Sequence, residues 1–333
     1  MASILSVPGP LKTLFDKFPL KTYGYVNNND EAMEYEISQR SSHFEGPNAV
    51  KSSKDDVFHL GVYQIVRDAE TGALLASDPW GLFAELSLSK KNNLKLPTKS
   101  TSTCSANGSK GKTAQHSMCV LSPRASLTKN LPILIEGSTK RHVRSTESIN
   151  EILYSRIPVG EHTLYLNLLN TIVYDGYIVD LLRNVPSTRF CELYTYINER
   201  DVSIANWATV QDTKSNVINR NGFQSRHGAL SEHLIEFKPP ITTLRSAELA
   251  EQSEIVIQEA IKCLSRVQTH WERPSKPKKD DSADLNSQYI DLALISYVLS
   301  ISQLGPESEL NQWLQTEGKF LLNYSYQLLK TFC

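Results

Sequence analysis

The chain has 333 residues, 40 % of them apolar, which suits about two globular domains with real cores. Lys plus Arg number 35 against 36 Asp plus Glu, so the chain is close to neutral, which argues against a general nucleic-acid binder. The five cysteines, an odd number without a CxxC, read as reduced thiols and not as a disulfide framework or zinc site, and the eight histidines show no metal-ligand spacing.

The opening MASILSVPGP lacks the cationic and apolar regions of a secretory signal. Residues 1–55 read as an N-terminal arm, broken by Val7-Pro8-Gly9-Pro10 and by the turn Asn27-Asn28-Asn29-Asp30. Within it Leu5, Val7, Leu11, Leu14, Phe15 and Phe18 are more apolar than a free tail needs, so the arm is a candidate partner-binding segment. Phe58 to Val66, β-branched and aromatic, predicts a strand. Ser77-Asp78-Pro79 predicts a helix start, with Ser77 as the cap and Trp80, Phe83, Ala84, Leu86 and Leu88 as the core stripe. Leu94 to Leu96 reads as a short strand, and residues 98–117, rich in Ser, Thr, Gly and Lys, as a flexible insertion. Leu131 to Glu136 reads as a buried strand, paired with Lys140 to Arg144 across Gly137-Ser138. Ser145-Thr146-Glu147 opens a further helix.

From Glu161 onward helical periods dominate, over 161–183, 188–199, 244–270, 284–304 and 307–331. Residues 212–228 read as a polar loop, and 273–284 as an exposed linker. Leu164 to Leu182 is the nearest approach to a membrane span, but Asn167, Asn170, Asp175 and Asp180 interrupt the roughly 18 apolar residues a span needs. The expected fold class is therefore α/β plus all-α: a thioredoxin-like N-terminal domain over 56–158, then an all-helical C-terminal domain over 159–333. This is the glutathione-transferase-like plan.

That plan asks where a thiol would be activated. Such enzymes place a Tyr, Ser or Cys near the start of the first helix, where the helix dipole stabilises a thiolate. Here Asp78 and Gly81 occupy the two cysteine positions of a CPxC arrangement, and an anion at 78 would repel a thiolate. Ser77 and Ser148 are the residues an alternative reading, a glutathione-dependent transferase or thiol reductase, would use. Leu131-Pro132 resembles the cis proline that shapes the groove of that superfold, active or not. Ala106 to Thr113 fits a relaxed phosphate-loop pattern but lacks the flanking strand and helix such a loop requires. No catalytic residue, cofactor-binding residue, cofactor or metal site is expected.

Charge is uneven. Between Leu86 and Ser145 eleven basic residues face only Glu136. The bland reading is a solvated face and loop; the sharper one is an anionic partner or membrane headgroups, with Lys90, Lys91, Arg141 and Arg144 as a candidate basic patch.

The stretches Leu60-Gly-Val-Tyr-Gln-Ile65, Leu75-Ala-Ser-Asp-Pro-Trp80, Leu82-Phe83 and Asn93-Leu-Lys-Leu-Pro97 resemble the metaxin family. So do Leu131-Pro-Ile-Leu-Ile-Glu-Gly137 and Arg144-Ser-Thr-Glu-Ser-Ile149. Ser6-Val-Pro8, Leu14-Phe-Asp-Lys-Phe-Pro-Leu20 and Tyr23 narrow the likeness to the fungal metaxin-like subunits of the mitochondrial sorting and assembly machinery, the SAM complex. The likeness covers about residues 5–155, and many metaxins carry Cys where Gly81 stands. It implies a glutathione-transferase-like fold without transferase activity, peripheral on the cytosolic face of the mitochondrial outer membrane. It implies as partners the outer-membrane β-barrel subunit, a second metaxin-like subunit, and β-barrel precursors recognised through their β-signal.

Overall fold

The computed structural model describes residues 40–53, 56–99, 114–137, 142–158, 160–196, 204–235, 243–272 and 281–333. The apolar arm residues Leu5 to Phe18, the phosphate-loop-like stretch, Arg141 and most of the linker lie outside the described residues.

The sheet region starts within the expected arm. Strands β1 (Ser41–His43) and β2 (Val50–Lys51) precede the predicted strand, which forms as β3 (Phe58–Val62). A hairpin of β4 (Ile65–Arg67) and β5 (Leu74–Ala76) follows, then helix α1 (Pro79–Asn92). Next come β6 (Ala114–Gln115), β7 (Ser117–Val120), β8 (Ile133–Glu136), β9 (His142–Arg144) and helix α2 (Thr146–Tyr154). Five strands make one sheet in the order β1-β7-β3-β8-β9. The central β3 runs parallel to β7 and antiparallel to β8. Parallel neighbours need a crossover, and α1 lies in the one that joins β3 to β7. Phe58, Leu60 and Val62, which share one face of β3, are all buried, and on the other face Gly61 is buried and His59 half-buried, as in a central strand covered on both faces.

Three expectations change here. Residues 114–120, partly assigned to the insertion, are strands, because Ser117 to Cys119 pair with β1 on one side and with β3 on the other. Leu94 to Leu96 makes only a single bridge, Lys95 to Glu45. The α1 cap is Asp78, which accepts from the amides of Trp80 and Gly81, while the Ser77 hydroxyl is used elsewhere.

The helical region begins with α3 (Glu161–Leu168), a π turn (Leu169–Val173) and α4 (Tyr174–Arg183), the segment read as one helix. α5 (Ser187–Tyr194) and α6 (Ile204–Asn219) follow. α6 and the turn Arg220–Gly222 occupy most of the stretch expected to be loop. Short helices α7 (Phe223–Arg226) and α8 (Gly228–Ile235) lead to the long α9 (Thr243–Trp271) and α10 (Asp281–Ser302). The expected last helix is two, α11 (Glu309–Thr316) and α12 (Lys319–Leu329). Gly176 lets α4 and α9 touch: a Cβ there would stand 2.3 Å from the Ala260 Cβ. α10 packs along α1, and one continuous apolar core runs from the sheet into the helices. Near the other end of α1 the Leu96 amide donates to the Phe332 carbonyl at 2.8 Å, tying residue 332 to the sheet region.

Candidate functional site

The start of α1 is where the expected chemistry would sit, and a buried polar knot fills it. Asp78 caps the helix through Oδ2, accepting from the Trp80 amide at 3.2 Å and the Gly81 amide at 3.3 Å. Arg220, carried 142 residues downstream on the turn after α6, donates to the same Oδ2 at 3.1 Å and to Oδ1 through its other terminal nitrogen. Tyr194 donates its hydroxyl to Oδ1 at 3.0 Å. The side chains of Asp78 and Arg220 are each only 1 % exposed.

The rest of the guanidinium is also occupied. Its Nε donates to the Tyr174 hydroxyl at 2.5 Å, and that hydroxyl donates to the Val217 carbonyl at 3.2 Å. One terminal nitrogen also donates to the carbonyl of Leu131 at 3.2 Å. The Leu131–Pro132 peptide is cis, as the sequence predicts. The guanidinium centre lies 4.7 Å from the Trp80 ring centroid, 5.4 Å from that of Tyr174 and 5.7 Å from that of Tyr63, so the charge is enclosed by aromatic rings. Asn221 and Gly222 both adopt positive φ, 58° and 69°, and this reversal after α6 aims Arg220 back at the sheet.

The electrostatics follow from burial. Burial, the largest single influence, would lower the Arg220 pKa, but the Asp78 carboxylate together with Tyr174, Tyr63 and Tyr194 outweighs it and the net shift is upward. Burial, then the Asp78 charge, drives the Tyr194 hydroxyl well above its ordinary value. No phenol here is poised to ionise near neutral pH. The thiols show the same trend: burial pushes Cys119 up to about 12 and also raises Cys263 and Cys333. A nucleophilic thiol needs the opposite shift.

Further bonds stitch the two regions around this knot. Ser77 Oγ donates to the Leu193 carbonyl at 2.5 Å, and Gln64 donates to the Thr195 carbonyl at 3.1 Å. Trp80 Nε1 donates to the Tyr297 hydroxyl at 3.3 Å, which donates to Asn170 Oδ1 at 2.9 Å. Asn170 lies in the π turn, and its backbone carbonyl accepts from the Asn221 side-chain Nδ2. Ser77 and Ser148, the residues of the transferase reading, have different surroundings. Ser77 is buried in the knot, whereas Ser148 is half-buried in the first turn of α2, its amide capped by Ser145 at 3.4 Å.

Three of the four basic-patch candidates lie near one another. Lys91 of α1 and Arg144 of β9 line the same groove between α1 and α2. Lys90 stacks over Tyr289 at 5.1 Å and bonds Gln288. The sequence reading missed Arg220, the tyrosines around it, and Arg156, which lines the groove too. Arg220 precedes an Asn-Gly pair, a turn signal, but nothing local marks its partner.

Comparison with known proteins places this architecture. A family model described as SAM35, subunit of the SAM complex, matches residues 5–136. The "Sorting assembly machinery 35 kDa subunit" of Saccharomyces cerevisiae is 31 % identical over 344 residues, spanning 100 % of this chain and 99 % of the relative. The likeness thus extends through the helical region as well as the sheet, and the chain belongs to the SAM35 family.

Proposed function

We propose that this chain is a non-catalytic subunit of the mitochondrial sorting and assembly machinery. In this reading it sits peripherally on the cytosolic face of the outer membrane and recognises the β-signal of β-barrel precursors, supporting their insertion. Its partners are the outer-membrane β-barrel subunit and a second metaxin-like subunit. The N-terminal arm with Leu5, Val7, Leu11, Leu14, Phe15 and Phe18, and the patch of Lys90, Lys91, Arg141 and Arg144, are the surfaces offered to them.

Full-length similarity to the yeast 35 kDa subunit carries this reading. Among the described residues no helix is long and apolar enough to cross a membrane, which fits peripheral attachment. A glutathione-transferase-like fold, with a sheet domain to about residue 158 and a helical domain beyond, is part of the same proposal. The β7-β3-β8-β9 order, the parallel β3–β7 pair joined through α1, and the cis proline before β8 support it. The knot supports the non-catalytic reading, because the helix start carries a carboxylate that Arg220 and its aromatic rings close off.

The experiment is isolation of the tagged full-length chain from mitochondria importing a radiolabelled β-barrel precursor. Co-isolation of the barrel subunit, and a crosslink to the precursor that disappears when its β-signal is deleted, are expected. A crosslink indifferent to that deletion would remove signal recognition from this chain. Absence of the barrel subunit would remove the assembly reading altogether.

A further inference from the structure

His116 stands between β6 and β7, at the corner of the sheet region that β2 and the start of β3 also reach, and it is 2 % exposed. Its ring stacks on Phe58 with 4.2 Å between centroids, and its Nδ1 accepts from the Phe58 backbone amide at 3.1 Å. An amide can only donate, so Nδ1 carries a lone pair and the ring proton sits on Nε2. Nε2 is buried without a hydrogen-bond partner. The geometry admits only the neutral ring, because a proton on Nδ1 would point at the Phe58 N–H and leave a charge buried.

Among the described residues, the titratable groups that act on this ring are basic. Burial, then Lys51 of β2, then His59 of β3 bring its pKa down from 6.5 to about 4. His43 of β1 turns its ring to the His116 backbone, and its own Nδ1 is buried and unpaired. β6 brings only Ala114 and Gln115. Glu136 of β8 stands opposite Phe58 but is held by Arg144 at 2.9 Å.

The same residue carries the backbone ties of the corner. The Phe44 amide donates to the His116 carbonyl at 3.0 Å, and the His116 amide donates to the Ala49 carbonyl at 3.0 Å. β2 and β6 pair over only two residues, whereas β3 is laddered to β7 and to β8 over four residues each. A two-residue ribbon opens at lower cost than a central strand.

We propose that His116 is a proton-operated latch: neutral, it pins the β2–β6 ribbon to the start of β3; protonated, it leaves the Phe58 amide and the ribbon opens while the β7-β3-β8 centre stays paired. The sign follows from where the ring titrates. In the open corner it takes up a proton near the ordinary 6.5, in the closed corner only near 4. The stabilisation of the closed corner is therefore complete above the first value and is lost as pH falls toward the second. One-proton linkage between these values makes the open population grow about tenfold from pH 7.5 to pH 5.5. β2 lies in the stretch read as the N-terminal arm and β6 in the stretch read as an insertion, so the latch sets how firmly both are anchored to the sheet.

The test is amide hydrogen exchange of the full-length protein followed by NMR, expressed as protection factors, which remove the intrinsic pH dependence of exchange. Protection of the Phe44, Phe58 and His116 amides should fall about tenfold from pH 7.5 to pH 5.5. The Leu121 amide, bonded to the Val62 carbonyl at the other end of the same strands, should keep its protection. In His116→Asn the side-chain oxygen takes the place of Nδ1 without titrating, so the pH dependence should vanish; His43→Asn should retain it. Ring nitrogen shifts of the parent should report the Nε2–H tautomer at pH 7.5. Unchanged protection at the corner, equal loss at Leu121, a dependence that survives His116→Asn, or an Nδ1–H tautomer would each overturn the proposal. If His116→Asn does not fold, the parent's exchange and ring shifts decide alone. No part of the assembly machinery is needed, so failure here leaves the family reading intact.

Discussion

Asp78 and Glu85 are two buried carboxylates at the start and middle of one helix, α1, and they meet opposite fates. Asp78 has a guanidinium, a phenol and two backbone amides around it. Glu85 is 0 % exposed and has a single bond, from the Ala76 amide at 2.8 Å, with its other oxygen unpaired. Burial without a cation pushes the Glu85 carboxyl up to about 8, so the fold holds it neutral. The lesson is that the knot exists for its charge. A protein needing only a buried acid would have left Asp78 as it leaves Glu85.

The comparison breaks most severely at Arg220. Arg220→Met leaves the Asp78 charge buried without its partner, which costs about 3–5 kcal/mol. The thermal midpoint should fall by roughly 10 °C. Adding Asp78→Asn removes the stranded charge and should restore more than half of the loss, although the pair itself then no longer exists. Melting curves of the two single variants and the double variant measure this directly. A single-variant loss below about 1 kcal/mol would mean the pair is solvated and the site is open.

Glu85 sharpens the other side. Its folded pKa of about 8 lies above the ordinary 4.5, so the folded state holds the proton more tightly than the unfolded chain does. The stability it contributes is complete below the lower value and is lost as pH rises through the higher one. Glu85→Gln should therefore flatten the decline across that window. Near pH 8 and above it should be the more stable protein, by on the order of a few kcal/mol. Urea titrations of both proteins from pH 5 to pH 8.5 are the measurement. Parallel curves would show that Glu85 ionises freely in the folded state.

What the sequence disclosed follows the same division between local and distant causes. β3, α1, β8 and α2 were legible because each carries its own signal: a β-branched run, a proline in the first turn, an apolar stretch, a Ser cap. β1 was not, since Ser41-Ser42-His43 becomes a strand only through its ladder to β7. α6 was hidden by polar residues, of which Asp212 pairs with Arg124 and Lys129 of the sheet region. The site splits likewise. Asp78, from its place before Pro79, reads in the sequence as incompatible with a thiolate. Its guanidinium partner, 142 residues away, has no local mark. Lys91 and Arg144 were visible as charge, but their sharing a groove with Arg156 is a product of the tertiary fold.

The smallest change separates retired from working chemistry. Ser77 is the hydroxyl at the helix start that the transferase reading would use, and in the fold it donates to the Leu193 carbonyl while 1 % exposed. As a nucleophile-activating group it would have to face a substrate, yet its hydrogen points at backbone of the helical region. Ser77→Ala removes that single bond and strands one buried carbonyl, a loss of about 1–2 kcal/mol. The cost should appear as a modestly lower denaturation midpoint, with an unchanged slope because the same surface is still exposed on unfolding. Glutathione conjugation to a standard electrophile should be at the uncatalysed rate for the parent and the variant alike. Turnover by the parent that Ser77→Ala abolishes would restore the enzyme reading and make the Arg220 knot part of an active site.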